Sequence, residues 1–385
     1  MSHSRTTSNM SDLSETISEP DSVISFNENV YLSMQNADIS TATYVEQARQ
    51  ILDQLVTKQN RWIETPPRVN NMDASKALDA VLRNARQSGG EKSERYTTCA
   101  ICACPEIYEQ VNLARTWFIV CHEYQCDFPL VVTAGSHQPS YLISDQATPT
   151  IDDTYGSLVS VNPERRSGAM YLNRRDGYRC VVTGMWDGEH RPASSNQAWV
   201  TLTGAHLLKR AVGVFTLERP HTAAATWNII RHYSGMSEET IQDMERLVDD
   251  PSNGMMLQGD VHTVFDKLKV YLEQTERENE YIVKEVSSRR WIHRDVLDRT
   301  IAFQNHAAPT RDIPLPNPHF IALHAAISPI LHMSGAAEVF AQILDRYDGA
   351  AGGNAGILKS NGNPVHPLSS MMSALYISTS LESTA

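Results

Sequence analysis

Pro251 to Asp266, PSNGMMLQGDVHTVFD, is the stretch on which the reading of this chain turns. A turn, Pro251-Ser252-Asn253-Gly254, leads into a short apolar run, Met255 to Leu257, and that run leads into a helix start. The Asp260 carboxylate is placed to cap the turn that follows it. On this helix His262 and Asp266 stand four residues apart, so both project from one face. An imidazole and a carboxylate at that spacing can grip one divalent ion, through a ring nitrogen and an oxygen. The same spacing also occurs in solvated surface pairs, so the neighbouring sequence decides what the pair means.

Upstream lies TGAHLLKR with His206, and before it RDGYRCVVTG, Arg175 to Gly184. AWVTLTGAHLL alternates as a strand ending at His206, while Cys180-Val181-Val182 reads as a short buried strand stopped by Thr183-Gly184. Arg165, Arg166, Arg174, Arg175 and Arg179 concentrate positive charge just ahead of the first motif. Guanidinium forks match phosphate oxygens, so phosphate binding is one reading of this cluster, and a solvated face is the other.

RDGYRCVVTG, then AH, then NGMML, then HTVFD: this order resembles the HNH (ββα-metal) endonuclease family. More narrowly it is similar to a branch of fungal proteins whose first motif is Ala-His. The resemblance covers roughly 170–275, with a looser stretch to about 345. It implies an α+β fold in which a ββα-metal nuclease core carries a helical insert and C-terminal helices, preceded by a small, mostly helical domain. It also implies roles: His206 as the general base that takes the proton of the attacking water, and Asn253 as the residue bracing the loop between the two strands. His262 and Asp266 would hold the ion, Phe265 would anchor the helix in the core, and Lys209 and Arg210 would meet a phosphate. Where many members carry Asp or His before the base, this chain has Ala205. Two protein ligands suit Mg2+, which keeps its waters; Mn2+, Ni2+ and Zn2+ are the alternatives. The implied activity is metal-dependent hydrolysis of phosphodiester bonds, with DNA as the first candidate partner. A catalytically inactive binding module of the same fold is the other reading.

Composition sets the outer limits. The chain has 385 residues, 41% hydrophobic and 20% charged, enough for two ordinary domains with tails. No apolar run approaches the ~20 residues of a membrane span, and the N-terminus lacks the apolar region of a secretory signal, so an intracellular protein is expected. A formal charge of −12 argues against a surface that coats nucleic acid all over and leaves room for a local basic patch. Cys99, Cys102, Cys104, Cys121 and Cys126 cluster, with C-x-x-C at the first pair. Buried free thiols are the favoured reading, and half a zinc site recruiting a partner is the sharper one.

The boundaries expected are a disordered tail over 1–41, a helical domain over 42–130, a linker with short strands over 131–164, the nuclease-like domain over 165–347 and a flexible tail over 348–385. Val45, Ala48, Ile51, Leu52 and Leu55 make one helical face. Asp73 caps a second helix, DASKALDAVLRNARQ, expected to end at Gln87, and a third is expected from about Pro105 to His122. Ser237 caps a helix within the insert. After Asp266 two strands and then two helices broken at Gly335 close the domain, and His319, His324 and His332 read as packed or solvated.

Overall fold

A computed structural model describes residues 21–63, 70–125, 168–208 except 197, 229–240 except 238, 247, 250–286 and 291–342 except 308 and 310. Its first helices are α1 (Asp21–Gln35), α2 (Thr41–Val56), α3 (Ala74–Cys102) and α4 (Ile107–Gln125). A two-residue antiparallel ladder, β1 (Trp62–Ile63) with β2 (Met72–Asp73), precedes α3. α2 buries Tyr44, Ala48, Leu52 and Leu55, one stripe at helical spacing, with Val45 and Ile51 at its margin. Asp73 caps α3 as expected, its carboxylate accepting the Ser75 N–H at 3.0 Å.

Two local differences from the sequence reading have clear causes. Residues 21–35, expected to be disordered, form α1. Its Val30 is buried, and the Arg95 guanidinium of α3 donates to the Met34 and Ser33 carbonyls at its end, supplying the orphan acceptors of a helix C-terminus. α3 runs well past Gln87, through a kink at Gly89 and Gly90. Gly90 takes a φ of +68°, and a Cβ on Gly89 would lie 2.4 Å from the Tyr233 carbonyl oxygen. The glycine pair therefore both bends α3 and admits the helical residues 229–234.

Next come α5 (Gly168–Arg175), β3 (Trp186–Asp187), β4 (Trp199–Val200), β5 (Leu202–His206), β6 (Gly254–Gln258) and α6 (Gly259–Asp266). A three-stranded antiparallel sheet follows, β7 (Val270–Gln274), β8 (Glu280–Glu285) and β9 (Thr300–Ala302). α7 (Pro318–Met333) and α8 (Ala336–Gln342) end the described chain, bent by 76° at Gly335, whose φ is +83°. No single described helix is long and apolar enough to cross a membrane.

α7 packs against α3 and also against β7. Tyr233 is fully buried, donates to the Val81 carbonyl at 2.9 Å and meets Trp117 edge-on. One apolar core thus runs from Leu52 and Leu78 through Tyr233 to Phe265, Phe320 and Phe340. The helical region and the hairpin share it, so the boundary expected near residue 130 does not divide the core.

Cys180-Val181-Val182 forms a turn and not the expected strand. Gly184, at φ +75°, folds the chain back so that its N–H reaches the Cys180 carbonyl at 2.7 Å and the Thr183 N–H points at the Cys180 sulfur at 3.4 Å. Four of the five clustered cysteines are described. Cys99, Cys104 and Cys121 are buried and Cys102 partly so. Burial pushes the Cys99 and Cys102 thiols up to about 11, and those of Cys104 and Cys121 up to about 12. Neutral thiols of this kind pack as small apolar groups. Cys126, residues 1–20, the 131–164 linker and the 348–385 tail lie outside the described residues.

Candidate active site

The hairpin forms where the sequence places it. β5 and β6 pair antiparallel with His206 opposite Gly254, Ala205 opposite Met255 and Gly204 opposite Met256. Side chains alternate across a strand, so His206 shares one face with Gly204 and Met256, and Ala205 shares the other with Met255 and Leu257. The second face joins the main core with Val261 and Phe265 of α6. Met256, on the first face, packs on Leu172 of α5. His206 is thus the last residue of its strand, buried, on the side away from the α6 core. Ala205 stands on the α6 side at 2% exposure.

Asn253 holds the end of β5 by three hydrogen bonds. Its Oδ1 accepts the Leu208 N–H at 2.7 Å, its Nδ2 donates to the Leu208 carbonyl at 2.9 Å, and its own carbonyl accepts the Leu207 N–H at 2.9 Å. Its side chain is 0% exposed. The turn bearing it, Pro251–Asn253, is opened by Asp250, whose carboxylate accepts the Ser252 N–H. An amide that satisfies both backbone groups of one residue sets the chain leaving His206 in a single conformation, because any other leaves buried polar groups unpaired.

Arg175 does not meet phosphate, contrary to one reading of the basic cluster. Its side chain is 0% exposed and pairs with Asp176 through two contacts, at 2.7 and 3.1 Å. The remaining guanidinium protons go to the carbonyls of Pro251, Gly254 and Pro314, at 2.7, 2.7 and 3.0 Å. Asp176 in turn accepts the Met256 N–H at 2.8 Å. Burial raises the Asp176 carboxyl, and the Arg175 guanidinium pulls the other way. The pair therefore pins α5, the Asn253 turn, β6 and the 306–314 segment together. Sequence reasoning missed this because its acceptors are backbone carbonyls, which leave no trace in residue identity.

α6 starts at Gly259, directly off β6, so its cap is Gln258 and not Asp260. Asp260 lies inside the first turn, where its Oδ1 accepts from Val261 N–H at 2.9 Å and from the Gln258 amide at 2.6 Å. A carboxylate there still favours the helix through its dipole. Phe265 is buried as expected. The His324 ring of α7 stacks on it at 3.8 Å and lies 3.1 Å, through Nε2, from the Phe265 carbonyl. His262 and Asp266 are half-buried on the same helix. Among the described residues no group of three or more His, Cys, Asp or Glu side chains is arranged to hold a metal ion. Half-buried and four apart on α6, His262 and Asp266 are the two side chains that could hold a cation keeping most of its waters.

Of the other sequence candidates, Arg174 and Arg179 are exposed, and the Arg179 guanidinium lies 3.7 Å from the centre of the Trp186 ring. Arg165, Arg166, Lys209 and Arg210 lie outside the described residues. Ser237 caps as expected, accepting the Thr240 N–H at 3.2 Å, while most of the helix it opens lies outside them too.

Comparison with known families shows that residues 180–273 match the family model described as HNH endonuclease. Comparisons with curated proteins and with solved structures gave no match. The matched segment contains β5, the Asn253 turn, β6 and α6, whereas Arg175, Asp176 and His324 lie outside it. Residues 180–273 of this chain are thus similar to the HNH endonuclease family.

Proposed function

We propose that the chain is a metal-dependent endonuclease that hydrolyses phosphodiester bonds of DNA, with His206 as general base. The observation that carries this reading is the Asn253 brace, which fixes Leu207 and Leu208 and with them the strand end that presents His206. A base acts only when held within hydrogen-bond reach of the proton it takes, and such a group contributes ~10²–10⁴-fold. His206 removes a proton from water as the water oxygen bonds to phosphorus, and the P–O bond to the departing 3′ oxygen breaks. His262 and Asp266 would hold a divalent cation, which would supply charge neutralisation at the phosphate and at the leaving oxygen. Lys209 and Arg210, next after the braced Leu208, supply charge to the phosphate.

One observation favours a second reading, a binding module without catalysis. Ala205 fills the α6 face of β5 with a methyl group where a further ligand could stand. The test is nicking of supercoiled plasmid by the full chain with Mg2+, Mn2+, Ni2+ or no metal. Metal-dependent nicking is the expected result. Absence of cleavage with every ion would overturn the enzyme reading and leave the binding module.

A further inference from the structure

Beside the hairpin the structure carries an aromatic ladder that the proposed chemistry does not use. β3 and β4 pair in parallel with Trp186 opposite Trp199. The Arg179 guanidinium covers Trp186 at 3.7 Å, and the Arg179 backbone bridges to Trp186 as well. Trp199 lies against Gly188: a Cβ there would fall 2.6 Å from its ring, so only glycine leaves room for the indole in this position. The Gly188 N–H also donates to the Val200 carbonyl. Trp199 is nevertheless 59% exposed. It is an indole seated by its neighbours and left open to solvent, unlike an apolar side chain scattered singly on a surface.

We propose that Trp199 is a stacking platform for an unpaired nucleobase, with Arg179, seated on the paired Trp186, for the strand's phosphates. Charge argues for this occupant. Arg179 is exposed in a chain of net charge −12; of the nearby acids Asp187 is engaged by His190 at 2.8 Å and Glu189 is exposed. An open aromatic face with a guanidinium group nearby is the pairing that holds single strands with little sequence preference. A base inside a duplex offers no free face, so the platform selects gaps, flaps, ends or extruded bases. Seven residues separate Trp199 from His206, and that length of chain spans at most ~25 Å. The platform therefore deepens the nuclease reading, on which its link to His206 rests. It places the cut within about seven base steps, of ~3.4 Å each, of the unpaired base.

The test measures binding of the metal-free full chain to a labelled 20-nucleotide oligo(dT) and to a 20-base-pair duplex, by anisotropy. Wild type, Trp199→Ala and Trp199→Phe are compared, each checked for an unchanged circular dichroism melt. Trp199→Ala is expected to weaken oligo(dT) binding about 5- to 150-fold and to leave duplex binding within about twofold, while Trp199→Phe keeps most of the affinity. Equal losses on both nucleic acids, no loss on oligo(dT), or no oligo(dT) binding by wild type would overturn the platform. The two readings fail separately. Metal-dependent nicking with Trp199-independent binding removes the platform alone, and Trp199-dependent binding without nicking removes the nuclease alone.

Discussion

The helices α2 and α3 and the hairpin of β5 and β6 are both buried, but they are held by different means. α2 and α3 meet through side chains such as Leu52, Leu55, Leu78 and Val81, an apolar contact with no required direction. The hairpin joins the same core chiefly through one face, that of Ala205, Met255 and Leu257. Its other side is fixed by Arg175, Asp176 and Asn253, whose hydrogen bonds reach the backbone of Pro251, Gly254, Met256 and Leu208. Apolar packing tolerates exchange of one hydrophobic group for another of similar volume. A buried charge that loses its partner has no substitute. The difference teaches that the part of the molecule proposed to do chemistry is held by directional bonds, which fix geometry to a fraction of an ångström and yield badly to change.

The sharpest way to break this comparison is a matched pair of volume-conserving substitutions. Arg175→Met leaves Asp176 buried without its partner and should cost about 3–5 kcal/mol, whereas Leu78→Met in α3 should cost less than about 1.5 kcal/mol. Urea unfolding of each variant measures both. Equal costs would erase the distinction between the two regions.

A smaller effect concerns the far end of α6. His332 of α7 lies at the Lys267 and Leu268 backbone, with Glu338 and Lys269 nearby, and burial lowers its pKa from the ordinary 6.5. A histidine whose folded pKa is depressed binds its proton more readily when unfolded. Its contribution is therefore present above pH ~6.5 and lost as pH falls through the lowered folded value. Melting temperature followed from pH 7.5 downward should fall more steeply for wild type than for His332→Gln. Parallel profiles would show that His332 carries no part of the acid response.

Local signals made much of this legible in the sequence. The strand ending at His206, the Asn253 brace, the buried Phe265, the Asp73 cap and the break at Gly335 rest on alternation, capping and spacing within a few residues, and on a resemblance that covers the same stretch. What failed depended on distant partners. Arg175 resembles a phosphate ligand until its acceptors are found, 76 and 139 residues away at Pro251 and Pro314. α1 lacks the composition of a core helix, and Arg95, from another helix, closes its end. Cys180-Val181-Val182 has strand-forming residues, but Gly184 turns them back on themselves. Asp260 is a good cap in the wrong place, because β6 runs into α6 without a loop.

The most direct test of the account is to compare cleavage of supercoiled plasmid by wild type and by His206→Ala, in the presence of the ion that supports nicking. The melting behaviour and DNA affinity of the two proteins are matched first. The expected result is loss of at least ~10²-fold in rate by His206→Ala, with folding and binding retained. Cleavage by the variant at the wild-type rate would contradict the assignment of His206 as base, and with it the claim that the braced hairpin end is where the chemistry occurs.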